Sequence, residues 1–217
     1  MILNDLSTND LVVLQIHLGG DRNFSYLFGD RASGEAAVFD PGFGPADLKD
    51  MADDEGLTIK RIGITHGHAD HVGGLESLAF MPGAGVHSGE GGSFDLGGRT
   101  VTVLPTPGHA PDHLCFHWEG FLVTGDLLFC GKVGGTGDYF PGSSAEQEWA
   151  SLHRLLELPD ATIVLPGHDY YGGEGSMPHS TLGFEREHNP FLLCADFEAF
   201  VDLKENWGAY KAKHGVR

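Results

Sequence analysis

Four short apolar runs in this chain each end in a small-residue turn, followed at once by a side chain able to ligate a metal. Ile62-Gly63-Ile64 opens onto THGHADHVGG, Thr65–Gly74, which places His66, His68, Asp70 and His71 within six residues. Val101–Leu104 leads through PTPG to His109, Phe121–Val123 through Thr124-Gly125 to Asp126, and Ile163–Leu165 through Pro166-Gly167 to His168. Apolar runs of this kind, bounded by Gly and Pro, read as buried strands. Adjacent strands of one sheet would bring their ends, and these side chains, to one edge. In the first loop, imidazoles two apart on extended backbone project to one side, and the Asp70-His71 pair can turn toward a second point. Buried imidazoles need partners, so packing explains such a cluster poorly. The sum is five His and two Asp, which suits two divalent ions with one Asp bridging. Neutral imidazole and carboxylate point to zinc, with iron or manganese as alternatives.

Composition excludes several classes of function. The chain has 217 residues, 41% of them hydrophobic, which suits a single domain with a large core. Its formal net charge is -18, with only 13 Lys and Arg in all. Nucleic acid and anionic membranes both require clustered cations, so neither is an expected partner. Cys115, Cys130 and Cys194 are widely spaced and form no C-x-x-C pair, as in a reducing compartment. The start, MILNDLSTND, has neither a basic region nor a long apolar one, and no apolar run approaches membrane-spanning length. The expected location is the cytoplasm.

The pattern predicts strands at Leu11–Ile16, Phe24–Phe28, Ala36–Phe39, Arg61–Ile64, Val86–His87, Arg99–Leu104, Cys115–Trp118, Gly120–Val123 and Thr162–Leu165. Helices are predicted at Asp47–Glu55, Gly73–Phe80 and Ser144–Leu156. The last has Trp149, Leu152, Leu155 and Leu156 at helical spacing. From about residue 184 the tail reads as a short helical appendage, broken near Asn189-Pro190.

These motifs resemble the metallo-β-lactamase superfamily. Its H-x-H-x-D-H signature corresponds to His66-Gly67-His68-Ala69-Asp70-His71, and its later His, Asp and His to His109 in TPGHAPDH, Asp126 in VTGDLLF and His168 in LPGHDY. The resemblance implies an α/β fold, an αββα sandwich of two mixed β-sheets flanked by helices. It also implies that His66, His68 and His109 hold one metal, that Asp70, His71 and His168 hold the other, and that Asp126 bridges them. Within the superfamily, NFSYLFGDRASGEAAVFDPG and GHDY followed by STLGFEREHNPF resemble both hydroxyacylglutathione hydrolase (glyoxalase II) and persulfide dioxygenase.

The first branch implies a binuclear thioester hydrolase acting through a metal-supplied hydroxide on a small-molecule, glutathione-type substrate. Asp70 would be its catalytic residue, and Lys132 and Tyr170 would hold the substrate. The second branch implies a single iron(II) on His66, His109 and Asp126, acting on glutathione persulfide. The segment GKVGGTGDYF lacks the Arg usual in that branch, while the short tail departs from the hydrolase pattern. Thr65, Thr106 and Asp169 are candidates to orient the ligating imidazoles, and His113 reads as a core or surface histidine.

Overall fold

The computed structural model of the chain describes residues 1–20, 22–79, 84–169 and 177–215. In chain order, β1 (Ile2–Asp5), β2 (Leu11–His17), β3 (Phe24–Asp30) and β4 (Glu35–Phe39) precede α1 (Pro45–Asp54) and β5 (Thr58–Gly63). Two short helices, α2 (Ala69–Val72) and α3 (Leu75–Ala79), lead to β6 (Gly85–His87). Then come β7 (Gly92–Leu96), β8 (Arg99–Pro105), β9 (Leu114–Trp118) and β10 (Phe121–Gly125). The hairpin of β11 (Leu128–Phe129) and β12 (Lys132–Val133) is followed by α4 (Ala145–Leu155), β13 (Ile163–Pro166) and β14 (Ser180–Thr181). The described chain closes with α5 (Leu182–His188), α6 (Phe197–Glu205) and α7 (Trp207–His214).

One sheet has the order β1-β2-β3-β4-β5-β6, the other β14-β13-β10-β9-β8-β7, and both mix parallel and antiparallel pairs. Strict alternation explains why the strands read as continuous apolar runs. On β2, Val13 faces the other sheet, while Val12, Leu14 and Ile16 face α1 and α3. On β3, Phe24, Tyr26 and Phe28 point inward and Leu27 outward. On the second sheet, Phe116, Trp118, Val123 and Leu165 fill the centre. Cys115, Leu122 and Val164 meet Leu152 and Leu155 of α4 and Phe200 of α6. Both sheets are therefore buried on two faces, giving helix, sheet, sheet, helix as expected. No described helix is long and apolar enough to cross a membrane.

Strand direction positions the site. Strand β9 is antiparallel to both β8 and β10, and β13 is parallel to β10. So β8, β10 and β13 run the same way, and His109, Asp126 and His168 follow their C-terminal ends. The expectation that all four ligand-bearing strands share one sheet is not met, because β5 belongs to the other sheet. The loop after β5 reaches the same edge by an inter-sheet bond, Leu114 N–H to Thr65 O at 2.7 Å.

The helix expected over Gly73–Phe80 also differs. Helix α2 begins inside the histidine loop and carries Asp70 and His71, and α3 starts afresh at Leu75. The break has a cause: Gly74 N–H bonds Pro41 O at 2.7 Å, tying the turn to the segment after β4. Phe80–Gly83, the expected end of that helix, lies outside the described residues. Strands β1, β7, β11, β12 and β14 were not anticipated; they are short or half-exposed and lack a continuous apolar run. Helix α4 matches its prediction, with Ser144 as the N-cap accepting from Gln147 N–H.

Candidate metal centre

All seven of the predicted ligand-type side chains converge at one end of the sandwich, in overlapping groups whose donor atoms lie within 4.8 Å of one another. The first group is His66, His68 and His109. His68 Nδ1 stands 2.9 Å from His66 Nε2 and 3.2 Å from His109 Nε2. Tetrahedral zinc–imidazole bonding places ligand nitrogens about 3.3 Å apart, so the spacing is that of a coordination sphere.

Outer partners decide which nitrogens face inward. Thr65 Oγ1 donates to Asp40 Oδ2 at 2.6 Å, so it accepts from His66 Nδ1 at 3.0 Å. His109 Nδ1 donates to Gly135 O at 2.8 Å. Each imidazole therefore carries its proton on the outer nitrogen and turns a bare Nε2 toward His68. Burial, with neighbouring histidines, holds the His66 and His109 imidazoles below the usual histidine range and keeps them neutral.

The second group is Asp70, His71 and His168. His168 Nε2 lies 3.4 Å from Asp70 Oδ2, and His71 Nε2 lies 3.8 Å from the same oxygen. His71 donates from Nδ1 to Asp40 Oδ2 at 2.9 Å, which again turns Nε2 inward. Asp126 stands between the groups: its Oδ1 is 3.4 Å from His71 Nε2, and its Oδ2 is 3.3 Å from His168 Nε2 and 3.7 Å from His109 Nε2.

Hydrogen bonding within the protein leaves this centre unsatisfied. Among the described residues, His71 Nε2 and Asp126 Oδ1 are both buried with no hydrogen-bond partner, though they face each other at 3.4 Å. Buried orphans of this kind are expensive, and a cation between them satisfies both. Burial alone would raise the Asp126 carboxyl, but the His71 and His168 imidazoles hold it well below the usual carboxylate range. Contact with His168, reinforced by Asn23, likewise lowers Asp70. Burial lowers the His71 imidazole, but the Asp126 and Asp40 carboxylates beside it outweigh burial and raise it well above the usual histidine range. The centre thus offers ionised carboxylates and imidazoles that are neutral at His66 and His109, and an ion bound at His71 displaces a proton there.

Close approach around Asp126 depends on Gly167, where a Cβ would lie 2.2 Å from Asp126 Oδ1 and 2.8 Å from His71 Cε1. Helix α4 braces the segment carrying His109 from behind. Ser144 N–H bonds Gly108 O at 2.8 Å, Ser151 Oγ bonds Pro107 O at 2.7 Å, and Arg154 Nη2 bonds Pro105 O at 2.7 Å.

The predicted outer partners fare unequally. Thr65 orients His66 as expected. Thr106 instead pairs its hydroxyl with His113 Nδ1 at 2.9 Å, and so serves no member of the donor groups directly. Asp169 is tied through its backbone N–H to Arg22 O at 3.1 Å. His113 is a core histidine stacked on His66 at 5.3 Å, and burial pushes its pKa down to about 3. Lys132 lines a cavity of about 460 Å³ together with Gly134, Gly135, Phe191, Lys204 and Trp207. Tyr170 lies outside the described residues.

Three groups escaped the sequence reading. The buried Asp40 accepts from Thr65 N–H, the Thr65 hydroxyl and His71 Nδ1, so one carboxylate orients imidazoles of both donor groups. Its φ of 48° is a left-handed conformation that Asp tolerates. The signal was present, because VFDPG is a strand end followed by a carboxylate and a Pro-Gly turn. Asn23 donates from Nδ2 to Asp70 Oδ2 at 2.9 Å. Phe140 lays its ring 4.8 Å from His109 and 6.3 Å from His68 and shields that side of the centre.

Comparisons with known proteins agree with this geometry. The family model of the metallo-beta-lactamase superfamily matches residues 18–89 and 82–168. A hydroxyacylglutathione hydrolase of Ruegeria pomeroyi is 35% identical over 222 residues, covering 80% of this chain and 84% of its own. The structure of ETHE1 from Myxococcus xanthus superposes with a TM-score of 0.79 at 30% identity, covering 90% of each chain. TTHA1623, solved in a di-iron-bound form, superposes with a TM-score of 0.68 at 30% identity, covering 82% of this chain and 99% of that one. Fold, ligand order and sequence together make this chain a member of the metallo-beta-lactamase superfamily, similar both to its hydroxyacylglutathione hydrolases and to ETHE1.

Proposed function

We propose that the protein is a binuclear metallohydrolase that cleaves thioesters of a glutathione-type carrier. In this reading His66, His68 and His109 hold one ion, Asp70, His71 and His168 hold the other, and Asp126 is shared. The observation that carries it is the place of Asp126, within 3.7 Å of imidazole nitrogens from both groups. Likeness to hydroxyacylglutathione hydrolases supports the substrate class. Bound divalent ions supply Lewis acidity and bring the deprotonation of water toward neutral pH; zinc is the expected ion, and iron and manganese suit the same donors.

The chain's own residues do the rest. Asp70 is the more solvent-facing carboxylate, its side chain 41% exposed against 7% for Asp126. Asn23 Nδ2 and His168 hold it ionised, a hydrogen-bond acceptor that orients the attacking water. Phe140 limits water beside His68 and His109. Lys132 and Tyr170 are the carrier contacts that the family resemblance implies, Lys132 as a point charge for a carrier carboxylate. A thiolate leaves readily, so no strong general acid is required.

The test is metal quantification on protein purified without added metal, together with hydrolysis of a hydroxyacylglutathione thioester. Two ions per chain and thioester cleavage are expected. One iron per chain, with oxygen uptake on glutathione persulfide and no thioester cleavage, would replace this reading with the dioxygenase at His66, His109 and Asp126.

A further inference from the structure

Behind His109, on the side away from the donor cluster, lies a buried ion pair that no part of the mechanism uses. Glu148 of α4 is fully buried and is paired with Lys204 of α6. Two chain segments meet at this pair. One is the turn before His109, where a Cβ on Gly108 would lie 2.4 Å from Glu148 Cα. The other is the strand exit at Gly134 and Gly135, where Lys204 Nζ donates to Gly134 O at 2.6 Å. The next carbonyl, Gly135 O, receives the His109 Nδ1 proton at 2.8 Å. One side of the Gly134 residue is also anchored, by its N–H to Leu127 O at 3.1 Å.

We propose that Lys204 is a positioning residue for the metal centre: its ammonium pins the Gly134 carbonyl, so that Gly135 O aims at His109 Nδ1 and His109 Nε2 faces the ligand sphere. Glu148 holds the ammonium there and neutralises it. The geometry has a specific logic. Two glycines without side chains cannot lock their own peptide, so its orientation must be imposed from outside. Lys204 reaches in from a helix about 95 residues after His109 in the chain. The C-terminal helices thereby act on the first donor group without contributing a ligand.

The inference rests on the metal-centre reading but not on any substrate, so its test is metal binding by the full-length apo-protein. Cobalt(II) is titrated into wild type, Glu148→Gln, Lys204→Arg and the double variant Glu148→Gln/Lys204→Met, reading affinity and visible absorption bands. Removing an outer partner of a ligating histidine costs about 10- to 100-fold in metal affinity. Acting one peptide further out, the double variant is expected to lose about 10-fold and shift its absorption bands. Its thermal midpoint is expected to fall by about 2–12 °C, since the buried amide and the Gly134 carbonyl lose the ammonium as a partner; the band shift, which a loss of stability alone does not produce, carries the test. Glu148→Gln and Lys204→Arg each keep a donor at Gly134 O and should retain wild-type bands. A double variant with wild-type affinity and bands overturns the proposal. So does a Glu148→Gln variant that loses as much as the double, which would assign the effect to the ion pair alone. Wild-type protein that takes up no cobalt would overturn the centre itself.

Discussion

Replacing Asp40 with asparagine should damage metal binding far more than its size suggests. The carboxylate is an acceptor on both oxygens: Oδ1 takes Thr65 N–H at 2.7 Å, and Oδ2 takes the Thr65 hydroxyl at 2.6 Å and His71 Nδ1 at 2.9 Å. An amide offers one acceptor and one donor group. If its oxygen stays with Thr65 N–H, its NH₂ faces His71 Nδ1 and the Thr65 hydroxyl. His71 must then move its proton to Nε2, the atom aimed at Asp126 and Asp70. Thr65, now accepting from the amide, is left to donate to His66 Nδ1, which pushes that proton inward too. If the amide is reversed, two donors meet at Thr65 N–H, and a buried donor is orphaned at about 1–3 kcal/mol. That is a fall of about 2–12 °C in thermal midpoint for a chain of this size. The first orientation instead costs about 10- to 100-fold in metal affinity, felt at both donor groups. Competition with a chromophoric chelator gives the affinity, and nitrogen shifts of labelled histidines give the tautomers. An Asp40→Asn protein with wild-type zinc affinity, unchanged tautomers and an unchanged midpoint would refute the reasoning.

Other perturbations have equally definite outcomes. His68→Ala removes the nitrogen that stands 2.9 Å and 3.2 Å from its two neighbours, so metal content should drop toward one ion per chain and kcat by at least about 100-fold. Mass spectrometry of the intact, metal-loaded protein checks the count. Gly167→Ala places a methyl group 2.2 Å from Asp126 Oδ1 and should cost about 1–3 kcal/mol while lowering metal content, measured by calorimetry and elemental analysis. The Glu148 pair predicts a pH dependence. Burial, against the pull of Lys204, pushes the Glu148 carboxyl up to about 7 from an ordinary 4.5, so below that pH the folded state keeps a proton that the unfolded chain has released, and the pair is ionic above it. The stability from that proton is complete below about pH 4.5 and is lost as pH rises through about 7, on the order of 1–3 kcal/mol. Chemical denaturation of apo-protein from pH 5 to 8 should show the decline in wild type and a flatter profile in Glu148→Gln/Lys204→Met.

Much of the molecule was legible because its strands are buried on two faces. Val12, Val13 and Leu14 alternate between two cores, yet each position is apolar, so the run itself marks the strand. Where one face is open, as on Gly92–Leu96, that signal disappears and the strand was missed. The ligand-type residues were visible for a related reason. A dense run of imidazoles beside a strand has no inexpensive packing explanation, and the later His, Asp and His repeat the same strand, turn and donor pattern. Asp40 departs from that order, its carboxylate standing before the Pro-Gly turn and not after it, so the pattern passed over it.

Local residue order was enough to say which side chains carry the chemistry: strand ends, turns and donor types are encoded within a few residues of one another. It could not say which sheet each strand joins, and so it placed β5 beside strands of the opposite sheet. Nor could it say which ring nitrogen faces inward. Those choices are made by partners distant in the chain, Asp40 for His71, Gly135 for His109 and Lys204 for Gly134. A hydrogen bond between residues tens of positions apart exists only once the core has closed and brought them together, so no local pattern announces it.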